Sequence, residues 1–185
     1  MRNNRIYLAG FMGAGKSTIG PILANTLGWN YYDLDKEIEK EKGKKITEVF
    51  KQEGEASFRQ FESTLLRKLI EKDKLIISLG GGTMTDEENL KLIKRTGKVF
   101  YLKASREAIY KRLKFKRDRP SLFIDGNFPS SKEKLAEVIE KLLNEREKFY
   151  LLSDYIIPTD NIPVGRTVDK IARIILQNNY SGMIN

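Results

Sequence analysis

The sequence predicts an α/β fold in which a five-stranded parallel sheet is flanked by helices. Five short apolar segments alternate with segments whose apolar residues recur at helical spacing. Buried parallel strands are continuous apolar runs, and the connections between them are usually helices, so this alternation is typical of a parallel sheet. Ligands bind such sheets at the carboxyl ends of the strands, and three distinctive motifs of this chain occupy such ends.

Each predicted strand is a short run rich in branched and aromatic residues. The runs are residues 5–10, 30–35, 74–80, 98–103 and 155–159. The first run leads into a glycine-rich loop, the second ends in two acids, and the third meets three consecutive glycines. We therefore expect these three strand ends to converge on one cleft.

Helices are predicted between the strands, over residues 17–28, 47–72, 85–97, 105–114, 130–150 and 165–179. The long segment 47–72 is expected to break into two helices near Gly54. The pairs Thr85 with Glu88 and Ser130 with Glu133 match capping boxes and predict where two of the helices begin.

The composition limits the number of domains and the available chemistry. A chain of 185 residues with 40% hydrophobic residues supports one sizeable core, so we expect a single domain over residues 1–185. The chain contains no Cys and no His. Disulfides, thiolate metal sites and His-ligated zinc are therefore excluded, and proton transfer falls to Asp, Glu, Lys or Tyr.

The chain carries 34 Lys and Arg against 25 Asp and Glu, a formal charge of +9. Most Lys residues stand beside Glu at helical spacing, as on a solvated surface. The exception is residues 111–119, which suit either nucleic acid or a basic flap over phosphates. No nucleic-acid motif, signal peptide or membrane-length apolar run is present, so we expect a cytoplasmic protein without nucleic-acid or membrane partners. We also expect a monomer.

The segment "GFMGAGKS", Gly10 to Ser17, has the G-x-x-x-x-G-K-[ST] spacing of a phosphate-binding loop. It lies between a predicted strand and a predicted helix, which is the context that this motif requires. Backbone N–H groups would wrap the β-phosphate, Lys16 would reach the β- and γ-phosphates, and Ser17 would bind Mg²⁺. The alternative is a chance glycine turn, which this context disfavours.

The segment "DLD" places Asp33 and Asp35 at the end of the second strand. In extended backbone the two carboxylates point the same way, so one would hold the metal and the other would face an acceptor hydroxyl. The alternative is that Asp35 caps the helix that follows.

Three glycines, Gly80 to Gly82, follow the third strand. A turn that needs positive φ requires only one glycine, so three favour the close approach of a ligand. Two arginines are ambiguous by themselves. Arg59 has Glu55 and Glu62 within helical reach, and Arg146 has acids on both sides, so both suit a helix surface as well as a site.

Taken in order, six motifs resemble those of the shikimate kinase family: "GFMGAGKST", "YYDLD", "GEASFRQFE", "SLGGGTM", "RDRPSL" and "REKFY". All but the first are weak singly, and their ordered combination is specific. The family is similar in fold to nucleoside monophosphate kinases. The resemblance implies one kinase domain with a substrate-binding helical segment at about 34–62 and a lid at about 113–130, where Pro, Gly, Asp and Ser predict a mobile loop.

The resemblance also implies the reaction, which is transfer of the ATP γ-phosphate to the shikimate 3-hydroxyl with Mg²⁺. It implies ATP contacts at Gly13, Ala14, Gly15, Lys16, Ser17, Thr18, Arg112 and Arg119. It implies shikimate contacts at Asp35, Arg59, Gly81, Gly82 and Arg146. Ser17 would bind the metal directly and Asp33 through water. Asp35 is the candidate base, Arg119 the lid arginine on the phosphates, and Arg112 the arginine that stacks on adenine.

The chain departs from the family pattern at three places. Ser121 replaces the usual Leu in the lid, Pro21 replaces an Arg found in many members, and residues 161–163 match no adenine-side Arg. We expect Ser121 to affect lid closure more than chemistry, and Pro21 to kink the first helix unless it lies early enough to be tolerated.

Two other functions remain open at the level of sequence. One is a kinase of another small acceptor, such as gluconate or a nucleoside monophosphate, because the phosphate loop and the lid do not distinguish acceptors. The other is a nucleotide-binding regulatory module without catalysis, which contacts nucleic acid through residues 111–119.

Overall fold

The computed structural model describes residues 4–115, 120–123, 128–129 and 131–181. It contains the predicted sheet, with five parallel strands in the order β2-β3-β1-β4-β5. The strands are β1 Arg5–Ala9, β2 Asn30–Asp33, β3 Leu75–Ser78, β4 Lys98–Lys103 and β5 Tyr155–Pro158. The fold class predicted from the alternation of apolar segments is confirmed.

The helices pack on the two faces of this sheet. They are α1 Lys16–Leu27, α2 Leu34–Lys42, α3 Ile46–Leu69, α4 Glu87–Thr96, α5 Arg106–Leu113, α6 Lys132–Tyr150 and α7 Val164–Ser181. Single 3₁₀ turns occupy Thr83–Thr85 and Pro120–Leu122. The predicted break in α3 is confirmed at Gly54, whose φ of 79° and ψ of 168° are not helical. Pro21 lies inside α1, which nevertheless continues to Leu27.

Two predicted helix starts and the alternative interpretation of Asp35 as a cap are wrong, and each difference comes from the residue whose side chain reaches the free N–H groups. Asp86, not Thr85, caps α4 by accepting a hydrogen bond from the Asn89 N–H. Ser131 caps α6, and the predicted cap Ser130 lies outside the described residues. Asp33, not Asp35, caps α2 by accepting from the Lys36 N–H, and β2 ends there.

The strand order positions the site above β1. From the end of β1 the chain crosses to β2 on one side, and β4 lies on the other side of β1. This is the point at which α/β sheets open a crevice for ligands. The central strands are buried on both faces, with Tyr7, Leu8, Ile77 and Phe100 almost fully enclosed. The sheet therefore holds the carboxyl ends of β1, β2 and β3 in fixed positions at one edge.

None of the helices in the described ranges combines the length and the apolar character that crossing a bilayer requires.

Candidate active site

The loop between β1 and α1 has the geometry that its glycines permit. Gly10, Gly13 and Gly15 have φ values of 140°, 80° and 102°, which side chains rarely adopt. The Lys16 ammonium donates to the carbonyl oxygens of Gly10 at 2.6 Å and Phe11 at 3.2 Å. The loop therefore curls around its own lysine, and the first turn of α1 points at the hollow, as an anion site requires.

Ser17, at the start of α1, meets the end of β2. Its hydroxyl donates to Asp33 Oδ2 at 2.7 Å, and the Lys36 N–H lies 3.4 Å from Asp33 Oδ1. One hydroxyl and one carboxylate suit Mg²⁺, which binds one or two protein groups together with phosphate and water. No cluster of three acidic side chains that could hold a metal occurs within the described part of the chain.

Asp35 lies in the first turn of α2, not on a strand. The prediction that Asp33 and Asp35 project side by side from extended backbone is therefore wrong, because α2 begins at Leu34 and buries Leu34 completely. Both carboxylates still border the same cavity. Asp35 Oδ1 lies 3.0 Å from the position that a Cβ on Gly80 would occupy.

Arg59 lies on α3 between two carboxylates. Its guanidinium donates to Glu55 at 3.1 Å and to Glu62 at 2.9 Å. An ion pair on the helix surface, the alternative interpretation of Arg59, fits only the contact with Glu55, because the Glu62 side chain is fully buried. Glu62 also accepts from the Thr83 hydroxyl at 2.7 Å. Burial raises the pKa of Glu62, although Arg59 and Thr83 both favour its ionised form.

Glu62 was not predicted as a site residue. In the sequence it is one more acid at helical spacing from an arginine. Its buried hydrogen-bond partner is Thr83, which is 21 residues further along the chain and belongs to the turn after β3. No local pattern contains that contact.

The three glycines after β3 are explained by space and not by φ, since none of them has a positive φ. A Cβ on Gly80 would lie 2.5 Å from Glu62 Oε1, and one on Gly82 would lie 2.6 Å from an Arg59 guanidinium nitrogen. A Cβ on Gly81 would lie 3.1 Å from Arg146 Nη1. The glycines form a floor on which the charged side chains of α3 and α6 rest.

Arg146 and Tyr150 approach this floor from α6. The Tyr150 hydroxyl donates to the Gly81 carbonyl oxygen. Tyr150 is 1% exposed, and burial raises the pKa of its hydroxyl to about 12. Tyr150 stands within the quoted motif "REKFY", but the sequence offered no reason to assign it a role.

One cavity of about 870 Å³ joins the phosphate loop to the glycine floor. Its wall includes Gly13, Ala14, Gly15, Lys16, Ser17, Thr18, Asp33, Asp35, Arg59, Gly81, Gly82, Arg112 and Arg146. These are all the predicted site residues except Arg119, which lies outside the described residues. Arg112 donates to the Gly13 carbonyl oxygen at 2.6 Å, and Ser121 also borders the cavity.

A phosphate loop that opens into a second compartment with a carboxylate and two arginines defines a P-loop kinase of a small acceptor. The chain belongs to the shikimate kinase family, whose family model matches residues 12–177. It is 42% identical to a shikimate kinase of Chlorobaculum parvum over 170 residues, which is 92% of this chain and 91% of that protein.

Solved structures agree with this assignment. A shikimate kinase from Acinetobacter baumannii in complex with shikimate superposes with a TM-score of 0.85 at 34% identity, covering 94% of this chain and 93% of that one. A gluconokinase from Sinorhizobium meliloti reaches a TM-score of 0.59 at 12% identity, covering 100% and 99% of the two chains. The second likeness shows the shared fold alone and does not bear on the acceptor.

Proposed function

We propose that this protein transfers the γ-phosphate of ATP to the 3-hydroxyl of shikimate, producing shikimate 3-phosphate and ADP for aromatic amino acid biosynthesis. The observation that carries this proposal is the group of Arg59, Arg146 and Asp35 around the glycine floor. Two arginines suit a carboxylate, and an aspartate suits hydroxyl groups. The Acinetobacter baumannii relative, crystallised with shikimate, supports the same acceptor.

The acceptor would bind over Gly81 and Gly82. Arg59 and Arg146 would hold the shikimate carboxylate, because planar guanidinium groups bind carboxylates through paired hydrogen bonds. Glu62 keeps the Arg59 guanidinium turned towards the floor through its 2.9 Å contact. Asp35 would accept hydrogen bonds from the ring hydroxyls and take the proton of the reacting one.

ATP would occupy the other half of the cavity. The loop from Gly13 to Thr18 would hold its phosphates, and Arg112 would face the adenine. The Ser17 hydroxyl would bind Mg²⁺ directly and Asp33 would do so through water, in agreement with the 2.7 Å contact between these two groups. Mg²⁺, when bound, would neutralise charge on the phosphates.

Phosphoryl transfer of this kind depends on positioning and on charge, because its transition state is loose. Lys16 would lie against the transferred group, and Arg119 would reach it from the lid at about residues 113–130. Lid closure would exclude water, which otherwise competes with the acceptor. The remaining parts of the proposal are one kinase domain over residues 1–185, with the substrate-binding segment at about 34–62, acting as a monomer in the cytoplasm without nucleic-acid or membrane partners.

The test is the rate of ADP formation from MgATP with shikimate, with gluconate, with AMP and without any acceptor. We expect a strong rate with shikimate only, and none for Lys16→Ala with any acceptor. If ADP formation depends on gluconate or AMP instead, that compound and not shikimate is the acceptor. Salt-sensitive DNA binding without any acceptor-dependent rate would favour the regulatory module.

A further inference from the structure

Tyr150 is a buried polar residue at the acceptor pocket with no part in the reaction described above. Its ring packs against the Tyr101 ring, with 5.2 Å between the ring centroids, and it is 1% exposed. A buried hydroxyl needs a partner, and the Tyr150 hydroxyl donates to the carbonyl oxygen of Gly81. The Arg146 guanidinium also lies beside this hydroxyl and favours its ionised form. The bond to Gly81 joins α6 to the glycine floor, although the two residues are 69 positions apart.

The bond fixes the orientation of one peptide group. In a trans peptide the carbonyl and the following N–H point in opposite directions, so holding the Gly81 oxygen also sets the direction of the Gly82 N–H. Glycine backbone has more freedom than any other, and three glycines in a row offer little resistance to rotation. Backbone N–H groups of the following turn hold the Gly80 and Gly82 carbonyl oxygens, and Tyr150 holds the Gly81 carbonyl oxygen between them.

The same helix face carries Arg146, one turn before Tyr150. Arg146 Nη1 and the Tyr150 hydroxyl lie 3.1 Å and 3.9 Å from the position that a Cβ on Gly81 would take. The two side chains thus approach Gly81 together. A change in how Tyr150 holds Gly81 also changes what lies beneath the Arg146 guanidinium.

We propose that Tyr150 is a positioning residue for the acceptor pocket, which sets both the Gly81–Gly82 peptide and the placement of the Arg146 guanidinium beside it. This inference rests on the proposed function, because it assumes that the pocket binds shikimate. Tyr150 takes no part in phosphoryl transfer, and it acts only through the floor and the arginine.

The test is Tyr150→Phe, which keeps the ring and removes the hydroxyl. Tyr7→Phe is the matched control. Tyr7 is also fully buried, its hydroxyl bonds Thr96 Oγ1 at 2.6 Å, and neither residue borders the cavity. The two variants lose the same atom from the same kind of environment, so a general loss of stability should be similar in both.

For Tyr150→Phe we expect the shikimate KM to rise about tenfold, with the ATP KM within about twofold of wild type, because the glycine floor loses a hydrogen bond and the phosphate loop loses none. For Tyr7→Phe both KM values should stay unchanged. In a double-mutant cycle, Tyr150→Phe and Arg146→Lys should raise the shikimate KM by less than the product of their separate effects. A multiplicative result, or equal rises in both KM values, would overturn the proposal.

A second measurement does not depend on the acceptor. The Thr83 and Thr85 N–H groups donate to the Gly80 and Gly82 carbonyl oxygens, so their hydrogen exchange reports on the order of the floor. Exchange there should be faster in Tyr150→Phe than in Tyr7→Phe. Unchanged exchange would overturn the anchoring role. If the wild type shows faster ADP formation with another acceptor than with shikimate, the proposed function fails, and exchange still decides whether Tyr150 orders the floor.

Discussion

The Arg59 guanidinium lies between an exposed carboxylate and a buried one, and the two neighbours have different consequences. Glu55 is 65% exposed on its side chain, so its pairing with Arg59 is screened by solvent. Glu62 is enclosed and fixes one edge of the guanidinium by a 2.9 Å bond. Arg59 is thereby held in a defined orientation over Gly82, which is what recognition of a planar carboxylate requires.

Replacing Arg59 with Lys tests this orientation. The lysine keeps the charge but loses the paired donors, so we expect the shikimate KM to rise about tenfold while the ATP KM stays unchanged. Steady-state kinetics with each substrate varied in turn measures both. Arg67→Lys, further along the same helix, is the control and should leave both constants unaltered. An unchanged shikimate KM for Arg59→Lys would return Arg59 to the role of a surface ion-pair partner.

Asp35 provides the second prediction at this scale. Asp35→Asn keeps the shape of the side chain and removes its basicity, so kcat should fall by about a hundredfold or more. MgATP affinity, measured by calorimetry, should stay within about twofold of wild type, because the Ser17 hydroxyl donates to Asp33, which the variant leaves unchanged. A loss of MgATP affinity without a loss of kcat would instead assign Asp35 to the metal site.

Residue types and spacing predicted the phosphate loop and two acids beside it, whereas Arg59 and Arg146 were assigned through the family resemblance, and the buried Glu62 and Tyr150 were not predicted. The phosphate loop could be predicted because its function needs glycines, a lysine and a hydroxyl at fixed spacing within one segment. Glu62 and Tyr150 could not, since the partners that define them, Thr83 and Gly81, are distant in the chain. The predicted position of Asp35 at the end of a strand was wrong, because an acid that ends a strand and one that starts a helix look alike in sequence.

At the scale of an element, a methyl group added to the glycine floor should leave the protein folded but weaken binding of the acceptor. Gly82 has a φ of −113°, which alanine adopts readily, yet its Cβ would lie 2.6 Å from the Arg59 guanidinium. The guanidinium is the end of a flexible side chain, so it can move aside. In Gly82→Ala we therefore expect the shikimate KM to rise about tenfold or more, and the unfolding midpoint to fall because the Arg59 guanidinium moves away from the buried Glu62.

The control for this variant is Gly165→Ala. Gly165 lies in the first turn of α7, and nothing lies within 4 Å of its would-be Cβ. Kinetics should be unchanged there, and the unfolding midpoint should stay the same or rise slightly. Equal KM values in the two glycine variants would show that the floor does not position Arg59.

The contacts that connect α4, β4 and the turn before β5 lead to a second prediction at this scale, which concerns stability alone. Asp154, in the turn before β5, accepts from the Val99 N–H at 2.8 Å and pairs with Lys94 and Lys98 at 3.3 Å. Burial by itself would raise the pKa of Asp154, but the N–H and the two ammonium groups outweigh it and lower that pKa below 3.8. The folded state therefore favours the ionised carboxylate.

The ionised Asp154 should stabilise the folded protein above the unfolded-state pKa of 3.8. This stabilisation should be lost as the pH falls through the lower folded-state pKa. Asp154→Asn should thus reduce the free energy of unfolding by about 1–2 kcal/mol at pH 7, and by less as the pH falls below 3.8. Urea titrations across pH measure this. The exposed Asp73, paired with Arg5, is the control: Asp73→Asn should change little at any pH. If Asp154→Asn lowers the free energy of unfolding by the same amount at every pH, the ionised Asp154 is not the source of the stabilisation.

At the scale of the whole molecule, the alternation of strands and helices was enough to predict a parallel sheet, whereas its order was not predicted. Every buried strand has the same apolar pattern in sequence, so the pattern does not predict that β3 lies between β1 and β2. That arrangement matters for function. It places the ends of β1, β2 and β3 beside one another, so the phosphate loop, Asp33 and the glycine floor share one cavity.

A shared cavity with two separate sets of contacts predicts how ligands stabilise the protein. A ligand that binds only the folded state adds about 2.7 kcal/mol at a hundred times its Kd. For a chain of this size that corresponds to a rise of about 5–10 °C in Tm. Shikimate and MgATP should each raise the Tm of the wild type when added alone, as thermal denaturation followed by circular dichroism would measure.

Two variants should separate these effects. Lys16→Ala should lose the rise with MgATP and keep the rise with shikimate, because Lys16 belongs to the phosphate loop. Arg146→Ala should lose the rise with shikimate and keep the rise with MgATP, because Arg146 lies over Gly81 at the other end of the cavity. If either variant loses both responses, the two halves of the cavity do not bind independently, and the division of the site into a phosphate loop and an acceptor floor is wrong.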